Sequence, residues 1–126
     1  MSVTSVLVAG AGPRGFAAST AFARRGLEVA LVERGRERPG DGELEPGGDV
    51  RLELTLVGAV DVDSHVEAEL SNGRVENYDA IVIADGRAAE QVAAGASSHR
   101  VFVLGDADDI EALADRVIRG GAQSPR

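Results

Sequence analysis

The chemistry-bearing residues of this sequence gather in one short stretch, Gly10-Ala11-Gly12-Pro13-Arg14-Gly15. Three glycines at this spacing serve a phosphate rather than a side-chain reaction. Gly10 permits a tight turn, Gly12 lets a pyrophosphate approach the backbone, and Gly15 lets a helix pack closely on a strand. The N–H groups and positive dipole of that helix then face the phosphates, with Pro13 and Arg14 in its first turn. Glu33 lies roughly 20 residues further on, where an acidic side chain can accept a hydrogen bond from a ribose 2′-OH. Arg34 follows it, with Arg36 and Arg38 beyond. An arginine there suits a 2′-phosphate and so NADP, whereas Glu33 repels one and favours a free 2′-OH. A solvated loop of mixed charge is the plainer reading of these arginines, and the site reads as one for a dinucleotide or ADP. A turn that only packs, with no ligand, is the other reading of the same residues.

Other side-chain chemistries are poorly served. There is no cysteine, which removes disulfides, thiolate catalysis and cysteine metal sites. All 13 basic residues are arginine, so neither a Schiff-base lysine nor a P-loop lysine is present. His65 and His99 are far apart and have no metal-ligand neighbours, so no metal is expected. Asp61, Asp63, Glu67 and Glu69 alternate with apolar residues and read as one solvated sheet face. Thirteen basic against 21 acidic residues give a formal charge of −8, which argues against nucleic acid and anionic membrane surfaces. No run approaches the ~20 apolar residues of a membrane span, and the N-terminus lacks a basic secretory region. A cytoplasmic location is the expectation.

The elements around the glycines follow from periodicity. Val3 to Ala9 reads as a buried parallel strand, and a helix runs from Pro13 to about Arg25, stopping at Gly26. Its stripe is Phe16, Thr20, Ala23 and Leu27, with Ala17, Ala18 and Ala21 allowing close approach. Glu28 to Glu33 is a second strand, so the chain opens β-α-β. Residues 34–49, rich in glycine, proline and charge, read as a flexible loop. From Val50 to Tyr78 apolar and polar residues alternate, and Asn72-Gly73 marks a hairpin, which together suggest an antiparallel meander. Ala80 to Ala84 and Val101 to Leu104 read as buried strands, with a short helix over Ala88–Ala94 and a connection over Ser97–Arg100. The last helix carries Ile110, Leu113, Ala114, Val117 and Ile118 on one face and ends at Gly120-Gly121. The expected fold class is α/β: residues 1–126 form a single small Rossmann-like, FAD/NAD(P)-binding domain with a parallel sheet and an antiparallel β-meander.

The segment from Val8 through Gly15 to Arg34 resembles the N-terminal fingerprint of the FAD/NAD(P)-binding flavoprotein superfamily. Tyr78-Asp79-Ala80-Ile81-Val82-Ile83-Ala84-Asp85-Gly86-Arg87 resembles a later segment of that group, with Asp85 where the group has threonine. Val101-Phe102-Val103-Leu104-Gly105-Asp106-Ala107 is similar to its late segment, whose aspartate contacts the flavin ribityl chain. That resemblance makes Asp106 a cofactor-binding candidate; capping the last helix is the alternative role. The run from Gly105 to Gly120 looks most like Old Yellow Enzyme-like flavoproteins of the trimethylamine dehydrogenase and 2,4-dienoyl-CoA reductase group.

The resemblance implies a small subunit of a hetero-oligomeric oxidoreductase, not a complete enzyme alone. It would bind the ADP moiety of FAD or NAD(P), with a larger flavoprotein subunit as partner. Two alternatives stand beside it: a structural or assembly subunit without a nucleotide, and a stand-alone NAD(P)-dependent oxidoreductase acting as a homodimer. In none of these does a side chain of this chain act as catalyst.

Overall fold

The computed structural model describes residues 4–10, 13–33, 48–62, 65–84, 100–104 and 109–122. The chain opens with strand β1 (Ser5–Ala9), helix α1 (Pro13–Arg24) and strand β2 (Glu28–Glu33). Strand β3 (Gly48–Leu52) follows, then β4 (Leu56–Asp61), β5 (Val66–Leu70) and β6 (Val75–Tyr78). Strands β7 (Ala80–Ile83) and β8 (Val101–Val103) precede the last helix, α2 (Ile110–Ala122).

Five strands make a sheet in the order β3-β2-β1-β7-β8, and every pairing in it is parallel. The other three, β4-β5-β6, form an antiparallel meander. The fold is therefore α/β and Rossmann-like, as the β-α-β opening and the alternating central stretch suggest.

Successive side chains of a strand point to opposite faces, so each central strand feeds two cores. Val6, Val8, Val29, Leu31, Ala80 and Val82 pack on one face against Ala18 and Phe22 of α1 and Leu113, Ala114 and Val117 of α2. Leu7, Ala9, Ala30, Val32, Ile81 and Ile83 pack on the other against the meander's Leu56, Val66, Ala68 and Leu70. Helices, parallel sheet and meander thus form three layers, which is why β1 and β7 read as unbroken apolar runs.

Several local expectations change. Gly48 and Asp49 belong to β3 and pair with Val29 and Ala30 of β2, rather than closing a loop. Val50 to Leu52 joins the parallel sheet and not the meander, because β2 would otherwise present an unpaired backbone edge. Its alternation reflects an edge position, with Val50 packed on the helix-side core and Leu52 exposed. Val101–Leu104 was expected to be buried throughout, yet β8 is the opposite edge and Val103 is 51% exposed.

Phe22 of α1 is fully buried, while Phe16 and Thr20 of the expected stripe sit half-buried. Helix α2 continues through Gly120 and Gly121 to Ala122, since glycine inside a helix costs only about 1 kcal/mol relative to alanine. The Asn72-Gly73 hairpin forms as expected, with Leu70 N–H donating to Arg74 O at 2.9 Å and Arg74 N–H donating to Asn72 Oδ1 at 3.0 Å. The loop expected over 34–47, the short helix over 88–94, residues 97–99 with His99, and Asp85-Gly86 lie outside the described residues.

Candidate functional site

β1 occupies the middle of the parallel sheet, flanked by β2 and β7. The chain leaves β1 toward β2 and β3, crosses through the meander, and returns on the other side of β1. That reversal between β1 and β7 is the crevice where open α/β sheets bind ligands, outside the carboxyl ends of the strands.

The segments singled out in the sequence leave the sheet at this edge. Gly10 N–H donates to Val32 O at 2.9 Å, Ala84 N–H to Ala9 O at 2.8 Å, and Leu104 N–H to Ile83 O at 2.9 Å. Gly10, Glu33, Ala84 and Leu104 therefore mark the carboxyl ends of β1, β2, β7 and β8.

Gly10 has φ of 99°, a backbone conformation that side chains other than glycine's rarely adopt. It turns the chain sharply from β1 toward α1. Gly15 sits buried in the first turn of α1, directly on that turn. A Cβ at Gly15 would lie 1.8 Å from Gly10 O and 3.4 Å from Ala84 Cβ. Helix and strand thus approach to a distance only glycine permits. Ser19, one turn along, is fully buried and returns its hydroxyl to Gly15 O at 2.9 Å.

No acidic residue occupies the first turn of α1, so nothing there competes with an anion for the helix dipole. Glu33 ends β2, half-buried, in the strand beside the Gly10 turn. Its carbonyl accepts from Leu54 N–H at 3.0 Å, which fixes the carboxyl end of β2. The structure thus brings Gly10, Gly15 and Glu33 to one edge, with Pro13 and Arg14 opening α1 beside them. Gly12, Arg34 and Asp106 lie outside the described residues.

Asp109 caps helix α2. Its Oδ1 accepts from Glu111 N–H at 2.9 Å and Ala112 N–H at 3.2 Å, the pattern of an N-cap. Among the described residues no group of three or more His, Asp or Glu could hold a metal ion. No helix among them is long and apolar enough to cross a membrane.

Sequence reasoning missed a polar clamp at the opposite edge of the sheet. Asp79 Oδ2 accepts from Thr4 N–H at 2.8 Å, Thr4 Oγ1 at 2.8 Å and Ser5 N–H at 3.2 Å. Arg100 Nη1 donates to Asp79 O at 3.0 Å. Burial raises the Asp79 pKa, but the Thr4 and Ser5 donors and the nearby Arg100 charge outweigh it and hold the carboxyl below its ordinary value. Only the position of Asp79, between a hairpin strand and a buried strand, hints at this role.

No protein-family model matches the sequence. No curated protein matches it either. Solved structures do. L-proline dehydrogenase from P. horikoshii matches 67% of this chain at 21% identity and a TM-score of 0.56, over 22% of its own length. The oxygenase of 2-methyl-3-hydroxypyridine-5-carboxylic acid matches 67% at 19% identity and a TM-score of 0.54, over 40% of its length. A NAD-dependent persulfide reductase from A. fulgidus matches 66% at 19% identity and a TM-score of 0.52, over 21% of its length.

The shared feature is the fold. This chain spans well under half of each of these proteins, whose names describe a dehydrogenase, an oxygenase and a reductase. The links to the FAD/NAD(P)-binding superfamily and to Old Yellow Enzyme-like proteins rest on the sequence segments alone.

Proposed function

We propose that this chain is a nucleotide-binding unit of a flavoprotein oxidoreductase, holding the ADP moiety of FAD or NAD(P) at the Gly10–Gly15 turn. The observation that carries the reading is the approach of Gly15 to Gly10. That close packing of α1 on β1 sets the helix N-terminus at the sheet's carboxyl edge, where a pyrophosphate can meet it.

Gly10 and Gly15 shape the turn, the α1 N-terminus faces the phosphates, and Glu33 accepts from the ribose. From the sequence alone, Gly12 and Arg14 are assigned to the pyrophosphate, Arg34 to the ribose and Asp106 to a flavin. Electron transfer is the chemistry the dinucleotide supplies when bound; the residues here bind and orient it.

The reactive ring must be shielded from water, and the solved relatives devote most of their length to parts this chain does not match. A larger flavoprotein chain as partner meets that need, and the Gly105–Gly120 segment supports an Old Yellow Enzyme-like complex. Purification of the protein from its host, followed by release and mass analysis of bound ligands, tests the reading. The expected result is a complex with a larger chain that carries FAD, NAD(P) or ADP. A stable complex that carries none, and that takes up none when they are added, would instead assign the chain a structural role.

A further inference from the structure

A cavity of about 400 Å³ lies on the meander side of the sheet, at the amino ends of β1 and β2. At roughly 3.3 Å per residue, the five residues of β1 place it about 16 Å from the Gly10 turn. Its volume falls within the range of small-molecule sites. Ala30 supplies apolar lining, and Tyr78 adds the chain's one tyrosine ring.

The cationic side chain lining it is already neutralised. Arg51 Nη1 reaches both Glu76 oxygens at 2.7 Å, and Tyr78 Oη donates to Glu76 Oε1 at 2.6 Å. Glu28 and Asn77 also line the cavity. Neither side chain has a hydrogen-bond or ion-pair partner among the described residues. The lining charges therefore sum to one negative charge, carried by Glu28, on a chain whose formal charge is −8.

We infer that this cavity binds a small organic cation, an ammonium group on a short apolar body. The ammonium donates to the Glu28 carboxylate, which alternation places on the same face of β2 as Ala30. The apolar body lies against Ala30 and the Tyr78 ring. An anion of the same shape meets no uncompensated positive charge and is repelled by the field of the whole chain.

Butylammonium chloride, titrated into the full chain, tests this, with sodium butyrate at equal ionic strength as the anion of matched size. Amide ¹H–¹⁵N shifts of Val29, Ala30, Asn77 and Tyr78 report binding directly. So does tyrosine fluorescence, because Tyr78 is the sole tyrosine and there is no tryptophan. Butylammonium is expected to give saturable changes at these residues, and butyrate none. Glu28→Gln, at an exposed position, is expected to keep the fold and weaken binding about fivefold. Equal responses to butyrate, no saturable response to butylammonium, or undiminished binding by the folded Glu28→Gln variant would each overturn the proposal.

Discussion

A methyl group on Gly15 would need space held by the Gly10 carbonyl oxygen, 1.8 Å from where the Cβ would lie. Backbone cannot swing aside as the tip of a long side chain can, so α1 must shift away from β1. Gly15→Ala is therefore expected to cost about 2–3 kcal/mol of stability by overpacking, read by urea denaturation. It should also remove nucleotide affinity, because the helix N-terminus moves with it. Unchanged stability would mean that α1 is held less closely than described.

Asp79 gives a second residue-scale test. Its folded pKa lies below the unfolded value near 3.9. Its contribution to stability is thus full above the unfolded pKa and lost as pH falls through the folded one. Asp79→Asn is expected to lose about 1–2 kcal/mol at pH 7. In denaturation curves at descending pH, the gap between the two proteins should close in the acid range; a gap that persists below the folded pKa would contradict this role. The glycine spacing was legible from sequence because it is local. The Asp79 clamp was not, because its donors, Thr4 and Ser5, lie at the start of β1 more than seventy positions away.

At the scale of elements, helix α2 begins where Asp109 caps it. Asp109→Ala is expected to cost about 1 kcal/mol, seen as a lower thermal midpoint. Asp106→Ala should leave helix stability unchanged, which separates the two aspartates experimentally.

Helices α1 and α2 are also linked by Arg25, whose Nη2 lies 2.7 Å from Glu111 Oε2 and 3.3 Å from Asp115 Oδ1. The hydrogen bond to Glu111 is the main cause that raises the Arg25 pKa. Both carboxylates are well exposed, so Arg25→Ala is expected to cost under about 1 kcal/mol, with the difference fading in high salt.

Element type was readable where a strand was buried on both faces, as in β1 and β7, or where a helix stripe was clean, as in α2. It failed where a short strand lies at a sheet edge. Gly48 to Leu52 carries glycine and charge because one side of β3 has no partner strand among the described residues, and such a composition resembles a loop.

For the whole molecule, three layers put all the described elements to use, with helices and meander covering the two faces of one sheet. The layering follows from the sequence once β1, β2 and β7 are taken as central. The order of the strands does not, because the return from β3 through the meander to β7 is a long-range choice. The same return creates the crevice beside β1 and sets Gly10, Gly15 and Glu33 around it.

The central claim is that this edge binds the ADP half of a dinucleotide. Titration of ADP into the isotope-labelled chain, followed by amide shifts, tests it most directly. Saturable shifts at Gly10, Gly15 and Glu33, absent in Gly15→Ala, are the expected result. A folded chain whose amides at this edge ignore both ADP and FAD at millimolar concentration would contradict it.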